Sequence, residues 1–206
     1  MPLSSQPPAK NRVLLIACGA LAREIIDVVR MNAWHHMTVT CLPAIWHNTP
    51  HKIPEALRAK IRAARPDYHK IFVLYVDCCT GGELDRVLAE EGVERIGGAH
   101  CYAFYRGIDL FTEEADADPT CFYLTDYLVR HFDRLIIQGL GIDRHPELLP
   151  IYFGNYTKLV YLAQAEDPKL CDQAKQAAAA LGLDYIYRFT GYGEMGRFMA
   201  AAAEED

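Results

Sequence analysis

The sequence predicts an α/β fold, with a Rossmann-like parallel sheet covered by helices on both faces and a second small α/β lobe in the C-terminal half. Short apolar runs alternate with segments of helical periodicity. The 206 residues are 51% apolar, enough for a full core. The pattern changes beyond an acidic stretch at 112–120. We expect a disordered tail at 1–11 and one α/β domain at 12–206, with possible lobes at 12–111 and 119–206.

The first half repeats a strand and a helix. The runs predicted as strands are RVLLIAC, MTVTCLPAIW, KIFVLYVDC and the shorter VERIGGAH. The segments predicted as helices are GALAREIIDVVRMN, IPEALRAKIRAAR and ELDRVLAEEG, and Pro54 fits the first turn of the second. Strands that alternate with helices of this length favour a parallel sheet.

The second half has a different order. The stretch TEEADADPT (112–120) is expected to be a solvated loop, and CFYLTDYLVRHFDRLIIQGLG a long helix that ends at its glycines. HPELLPIYFGNY follows as a shorter helix. TKLVYLAQ and LDYIYRF are predicted strands on either side of the helix DPKLCDQAKQAAAALG, and YGEMGRFMAAAAEED is a terminal helix.

Composition restricts the class of protein. A net charge of −6 argues against nucleic acid as a partner, because the surface would repel phosphates. No apolar run approaches the roughly 20 residues that cross a bilayer, so no membrane association is expected. The polar start MPLSSQPPAK lacks a signal-peptide core, and we expect a cytoplasmic protein. Its seven cysteines are then core thiols, metal ligands or redox groups rather than disulfides.

Potential metal ligands follow the predicted strands of the first half. Parallel strands bring their carboxyl ends to one edge, where α/β proteins bind ligands. The residues at this edge are Cys18, Cys41, His47, Asp77, Cys78, Cys79, His100 and Cys101. Thiolates and imidazoles bind zinc, and thiolates hold iron–sulfur clusters. Four of these residues therefore form a candidate metal site, namely Cys18, Cys78, His100 and Cys101.

Core packing is the competing explanation for these cysteines, since free cysteine is among the most buried residue types. It is preferred for Cys41, Cys121 and Cys171, whereas at the strand ends a metal ligand or reactive thiol is as good an explanation. Neighbouring residues of a strand point to opposite faces, so one of Cys78 and Cys79 suffices for a site.

The turn CTGGELD and its surroundings supply further candidates. Thr80 can cap the following helix, while Gly81 and Gly82 allow the backbone to approach a carboxylate or phosphate. A plain tight turn explains these residues equally well. His47 and Asp77 are the candidate catalytic groups, and Tyr102 is a candidate wall for a planar cofactor.

The helical segment RHFDR supplies a weaker candidate. His131 and Asp133 form a possible acid–base pair there, although polar residues on such helices are mostly surface groups.

Several blocks taken in order resemble the bacterial and archaeal family called domain of unknown function 1638. They are LLIACGALAREI, CLPAIWHNTPHKIPEAL, YVDCCTGGELD, RIGGAHCYAFYRG, FYLTDYLVRHFDRL, GLGIDRHPELLPIYFGNYTKLVYLAQ and TGYGEMGRF. The family has no assigned activity. The resemblance implies a role beside corrinoid proteins and corrinoid-dependent methyltransferases, in one-carbon or methylamine metabolism. In that family a small residue usually occupies the position of Cys79, which favours Cys78 as the functional thiol.

These observations lead to a hypothesis of a cytoplasmic metal-binding protein that serves corrinoid-linked methyl transfer, with His47 as second shell or proton donor. Zinc would activate a thiol acceptor, whereas an iron–sulfur cluster would reactivate the corrinoid. One alternative is an accessory protein that binds a corrinoid, or docks on a corrinoid protein, without catalysis. Another is an enzyme for a small-molecule substrate with Cys78 as nucleophile and His100 or His47 as base.

Overall fold

Strands and helices alternate along the chain in the computed structural model, which describes residues 11–77, 80–98 and 101–204 except for the side chain of Asn48. The strands are β1 (Val13–Cys18), β2 (Met37–Leu42), β3 (Lys70–Leu74), β4 (Glu94–Arg95), β5 (Cys121–Thr125), β6 (Lys158–Ala163) and β7 (Asp184–Phe189). The α-helices are α1 (Ala22–Met31), α2 (Ile53–Ala64), α3 (Glu83–Glu91), α4 (Cys101–Arg106), α5 (Ile108–Ala117), α6 (Asp126–Arg130), α7 (Leu149–Phe153), α8 (Pro168–Leu181) and α9 (Gly193–Glu204). Residues 1–10 of the predicted tail at 1–11 lie outside the described residues.

The first sheet is parallel, with the strand order β2-β1-β3-β4. Strand β1 is central and buried on both faces, which is why it appears in the sequence as an uninterrupted apolar run. The chain leaves β1 toward β2 on one side and later adds β3 on the other. The carboxyl ends of β1 and β3 therefore border a topological switch point, where open α/β sheets bind their ligands.

Amphipathic helices supply the rest of this core. The buried positions of α2 are Ile53, Pro54, Leu57 and Ile61, spaced along one helical face. Helix α3 ends at Gly92, whose φ of 59° is the left-handed conformation that terminates many helices.

Two compact units make up the chain: the first extends to Phe104 and includes the chain from Glu194 onward, and the second is Tyr105–Gly193. Helix α9 belongs to the first unit because the Phe198 ring packs edge-on against Phe72, with 5.9 Å between ring centroids. The lobes expected from the sequence, 12–111 and 119–206, place this helix in the second lobe and so differ from the observed grouping.

The second unit contains a parallel sheet with the order β5-β6-β7. Alternate residues of β6 enter a core with α8. This core includes Leu159, Tyr161 and Ala163 from the strand and Leu170, Ala174, Ala177 and Ala178 from the helix. Both sheets are parallel and flanked by helices, so the predicted α/β class with a Rossmann-like sheet and a second small lobe is confirmed.

Two predictions for the second half are wrong. The segment 121–141 is not one long helix, because it begins with β5, which pairs in register with β6, and Thr125 then caps the short helix α6. The acidic stretch is largely helical rather than a loop. Phe111 of α5 is buried and Glu114 forms an ion pair with Arg106, with 2.6 Å between the charged atoms.

The described residues include no helix with the length and apolar character needed to span a membrane.

Candidate functional site

Cys18 lies at the carboxyl end of β1, beside the switch point of the first sheet. Its side chain is 3% exposed and precedes a short 3-10 turn at Gly19–Leu21. The backbone N–H of Ala20 donates to its Sγ at 3.4 Å. This contact fixes the direction in which the sulfur points.

His47 approaches the same sulfur from the segment after β2. Its Nδ1 lies 3.7 Å from the Sγ of Cys18 and 2.9 Å from the carbonyl oxygen of Ala44. A carbonyl oxygen only accepts hydrogen bonds, so the short contact assigns a proton to Nδ1 and leaves Nε2 as the basic nitrogen.

Gly19 makes this approach possible. A side chain at this position would place its Cβ 3.0 Å from the carbonyl oxygen of Leu42 and 3.3 Å from the nitrogen of Ala44. The turn after β1 and the segment after β2 pass so closely that the backbone at Leu42 and Ala44 would have to shift by a few tenths of an ångström to admit a Cβ. The sequence analysis missed this requirement, since a glycine after a strand is common in turns.

A small cavity lies between these segments, with a volume of about 10 Å³. Its walls come from the carboxyl ends of β1 and β3, the segment that carries His47, and α4. They include Cys18, His47, Tyr75, Cys101 and Phe104. Three residues selected from the sequence, Cys18, His47 and Cys101, therefore line one space. The aromatic wall consists of Phe104, which lies in the aromatic stretch HCYAFYRG beside the predicted Tyr102, and of Tyr75, which was not predicted.

The other predicted metal ligands, Cys78 and His100, lie outside the described residues, as does Cys79. Among the residues that the structure does describe, no three His, Cys, Asp or Glu side chains group together as ligands for one metal ion. The structure therefore brings together Cys18 and Cys101 of the predicted set, and the remaining two stay predictions.

Asp77 and Thr80 organise the turn after β3. The Oδ1 of Asp77 accepts hydrogen bonds from the hydroxyl of Thr80 at 2.5 Å and from the N–H of Gly82 at 3.1 Å. The Thr80 hydroxyl oxygen accepts in turn from the N–H of Leu84, in the first turn of α3, whereas the N-cap residue of this helix is Gly82. The Gly82 N–H, which was a candidate donor to a bound anion, donates instead to Asp77.

Gly81 and Gly82 have φ values of 66° and 85°, a conformation that favours glycine. No atom lies within 4 Å of a Cβ built at either residue. Backbone conformation, rather than close packing in this structure, therefore explains the glycine pair.

Tyr102, predicted as a cofactor contact, is half-buried next to Cys101 on α4 and is not part of the cavity wall. Cys41 is half-buried on β2. Burial, and then the neighbouring Cys18, raise the pKa of the Cys41 thiol above 9.0, against the effect of Lys60. Cys41 therefore stays protonated at neutral pH, as expected for a core thiol.

The second unit contains a buried carboxylate at the end of β5. The side chain of Asp126 is 2% exposed. Its Oδ1 accepts hydrogen bonds from the Tyr161 hydroxyl at 2.7 Å and the Gln164 N–H at 3.0 Å. The Oδ2 faces Arg130 at 3.4 Å. The sequence analysis missed this group because it assigned the segment to a long helix.

Comparison with known proteins identifies a family but no activity. The family model described as "Protein of unknown function (DUF1638)" matches residues 41–199. The match includes His47 and Cys101 and begins after Cys18. No curated protein matches the chain. Since the matched segment is well over half of the sequence, the chain belongs to the DUF1638 family.

Proposed function

We propose that the carboxyl edge of the first sheet holds one zinc ion and that this site activates a thiol for corrinoid-linked methyl transfer. Cys18, Cys78, His100 and Cys101 are the candidate ligands, and three of them would bind the ion and leave its fourth position to the acceptor thiol, because catalytic zinc keeps an open position. The observation that supports the proposal is that Cys18 and Cys101, distant in sequence, line one cavity of about 10 Å³ beside His47.

The donor set suits zinc. Cysteine thiolates are preferred zinc ligands, and the Ala20 N–H that reaches the Cys18 sulfur is typical of the contacts that orient such ligands. One of the four candidate ligands is an imidazole, which zinc binds readily, whereas iron–sulfur clusters are mostly held by four thiolates. Of the two metal groups expected from the sequence, the donor set therefore favours zinc.

His47 fits a role beside the ligands rather than among them. Two tetrahedral zinc ligands, one sulfur and one nitrogen, lie about 3.6 Å apart, close to the 3.7 Å between Cys18 Sγ and His47 Nδ1. The Nδ1 proton, however, is directed at the carbonyl oxygen of Ala44. His47 is thus positioned beside the thiolate, with its Nδ1–H between the Ala44 oxygen and the Cys18 sulfur, and it can accept or release a proton through Nε2.

Burial argues against Cys18 as a direct nucleophile. At 3% exposure the sulfur of Cys18 is not itself open to an organic substrate, so the acceptor thiol would have to reach the zinc ion on the side away from Cys18. Zinc, when bound, would lower the pKa of an acceptor thiol. The methyl group would pass as CH₃⁺ from the corrinoid cobalt to that thiol sulfur, the cobalt would keep the electron pair, and His47 would take the thiol proton.

Thiolate chemistry of this kind needs a reducing environment, so we place the protein in the cytoplasm. A corrinoid protein or corrinoid methyltransferase would be the partner. The corrinoid ring is far larger than the cavity and would approach from outside it.

Metal analysis of protein purified anaerobically without a histidine tag tests the proposal. We expect nearly one zinc per chain in the wild type and in the control Cys171→Ser, and less than about a tenth of that in Cys18→Ser and Cys101→Ser. Zinc-free wild-type protein that takes up no added zinc would refute the metal site. If the purified protein instead contains iron and shows visible charge-transfer absorption, the metal group is an iron–sulfur cluster and not zinc.

The methyl-transfer step is tested with methylcobalamin and 2-mercaptoethanol as probes. Zinc-loaded wild-type protein should convert methylcobalamin to cob(I)alamin and the methyl thioether under anaerobic conditions, whereas Cys18→Ser should not. Zinc-loaded protein without this activity would refute the corrinoid link and leave the metal site standing. Metal-free protein that binds cobalamin would instead support the accessory role.

A further inference from the structure

A second candidate site lies in the second unit, as a groove of about 480 Å³ along α8. This volume falls within the range of small-molecule sites, about 300–1,000 Å³. Its polar lining comes from α6, the turn after it and α8. The side chains are Arg130, His131, Asp133, Arg134 and three glutamines, Gln138, Gln173 and Gln176.

The turn that shapes the groove is a π-helix at Asp133–Ile137. The N–H of Gln138 donates to the carbonyl oxygen of Asp133 at 2.8 Å, a bond between residues five apart. π-helical turns are rare and are frequently found at functional sites. Here the turn supplies Arg134 and Gln138 to the groove wall.

Arg130 links the groove to the buried carboxylate of the second unit. Its Nη2 lies 3.4 Å from the Oδ2 of Asp126. Asp126 is in turn fixed by the Tyr161 hydroxyl and the Gln164 backbone. A guanidinium already oriented by a carboxylate loses less conformational freedom when it also binds a ligand.

Arg134 is exposed at the other side of the turn, and no ion pair joins it to a carboxylate within the described ranges. His131 packs edge-on against Tyr127, with 4.7 Å between ring centroids, and no hydrogen bond links it to Asp133 in the described part of the chain. Burial, and then Arg134 and Arg130, lower the pKa of His131 below 6.5. At neutral pH His131 therefore adds no positive charge.

The charges of the groove indicate how strongly charged its ligand is. Two arginines and one aspartate, Asp133, line the groove, so the lining has an excess of one positive charge, and the buried Asp126 offsets part of the charge of Arg130. An excess of one charge suits a single carboxylate and is too weak for a polyphosphate. The three glutamine amides can each donate and accept hydrogen bonds.

We propose that the groove binds a small carboxylic acid that also carries amide or hydroxyl groups. Arg134 and Arg130 bind the carboxylate, and Gln138, Gln173 and Gln176 bind the polar remainder. This site is separate from the proposed metal site, and neither depends on the other.

Titration of the full-length ¹⁵N-labelled protein tests the site with three probes: lactate, N-acetylglycine and inorganic phosphate. Lactamide and N-acetylglycinamide serve as uncharged controls. We expect amide shifts confined to 129–138 and 173–180 for at least one of the acids, and no such shifts for the neutral amides. Phosphate should bind more weakly than that acid.

Variants at three arginines complete the test. Arg134→Gln should weaken binding of the acid by on the order of tenfold or more, and Arg130→Lys should weaken it less, because a point charge remains. Arg144→Gln removes an exposed arginine of the same unit outside the groove and should leave affinity unchanged. Unchanged thermal unfolding of Arg134→Gln excludes a folding defect.

Three results would overturn the proposal. In the first, neither acid shifts the groove residues. In the second, the neutral amides or phosphate bind as tightly as the acids. In the third, Arg144→Gln weakens binding as much as Arg134→Gln.

Discussion

The Sγ of Cys18 and the Nδ1 of His47 lie 3.7 Å apart, although 29 residues separate them in the chain. The contact depends on Gly19, which allows the segments after β1 and β2 to pass closely. It places an imidazole N–H beside a buried sulfur. The pair therefore links the topology of the first sheet to the chemistry proposed for its edge.

Replacement of His47 tests its proposed role beside the metal ligands. We expect His47→Ala to reduce zinc affinity by about 10–100-fold, the usual effect of removing a group that orients a ligand. Competition with a chromogenic chelator measures this. His51→Ala, at an exposed histidine four residues away, is the matched control and should not change the affinity. A complete loss of zinc in His47→Ala would instead make His47 a ligand.

Asp77 was a catalytic candidate, but its contacts suggest a structural role in the turn. Asp77→Asn keeps an oxygen for Thr80 and Gly82, so we expect stability within about 0.5 kcal/mol of wild type and retained methyl transfer. Asp77→Ala removes that acceptor and should cost about 1 kcal/mol, as the loss of a helix cap does. Urea unfolding measures both. Loss of activity in stably folded Asp77→Asn would restore the catalytic assignment.

The first sheet was predictable because its central strands are buried on both faces and appear as apolar runs. The edge elements were harder. Strand β2 ends at Leu42, before the 3-10 segment of His47, and β4 covers only Glu94–Arg95. These ends depend on how the chain turns at Pro43 and after Ile96, which periodicity does not encode.

The second sheet was predicted only in part because an isolated strand of five residues has no distinctive period. Cys121–Thr125 continues into α6, and a short apolar run before a helix cannot be distinguished from the helix itself. Pairing with β6 determines its conformation. The buried Asp126 follows from that pairing, so it could not be selected before the strand was known.

The site was predictable where it depends on topology and unpredictable where it depends on local contacts. The rule for parallel strand ends selected Cys18, His47 and Cys101, which line one cavity. The same rule cannot show that Asp77 accepts hydrogen bonds from Thr80 and Gly82, or that Tyr75 and Phe104 form the aromatic wall of the cavity. Those features depend on turn conformation and packing distances.

The hydrogen bond from Tyr161 to Asp126 should contribute strongly to the stability of the second unit. It reaches a buried carboxylate, and bonds to charged groups contribute about 1.5–3 kcal/mol. We expect Tyr161→Phe to lower the free energy of unfolding by that amount in urea titrations. Tyr187→Phe, on the same sheet but 42% exposed, should change it by less than about 0.5 kcal/mol. Equal effects of the two variants would contradict this account.

Glu114 should make the second unit sensitive to acid. The hydrogen bond from Arg106, with further attraction from Arg188, lowers the pKa of the Glu114 carboxyl below its ordinary 4.5, despite the opposing effect of burial. A carboxyl with a lowered pKa in the folded state contributes stability that is present above about pH 4.5 and is lost as the pH falls through the folded value. We therefore expect the free energy of unfolding of the wild type to fall more steeply below pH 4.5 than that of Glu114→Gln. Urea titrations at intervals between pH 6 and pH 3 measure the two slopes, with Glu147→Gln, at an exposed glutamate of the same unit, as control. If the free energy of unfolding of Glu114→Gln falls toward low pH as steeply as that of the wild type and the control, Glu114 is not the cause of the acid sensitivity.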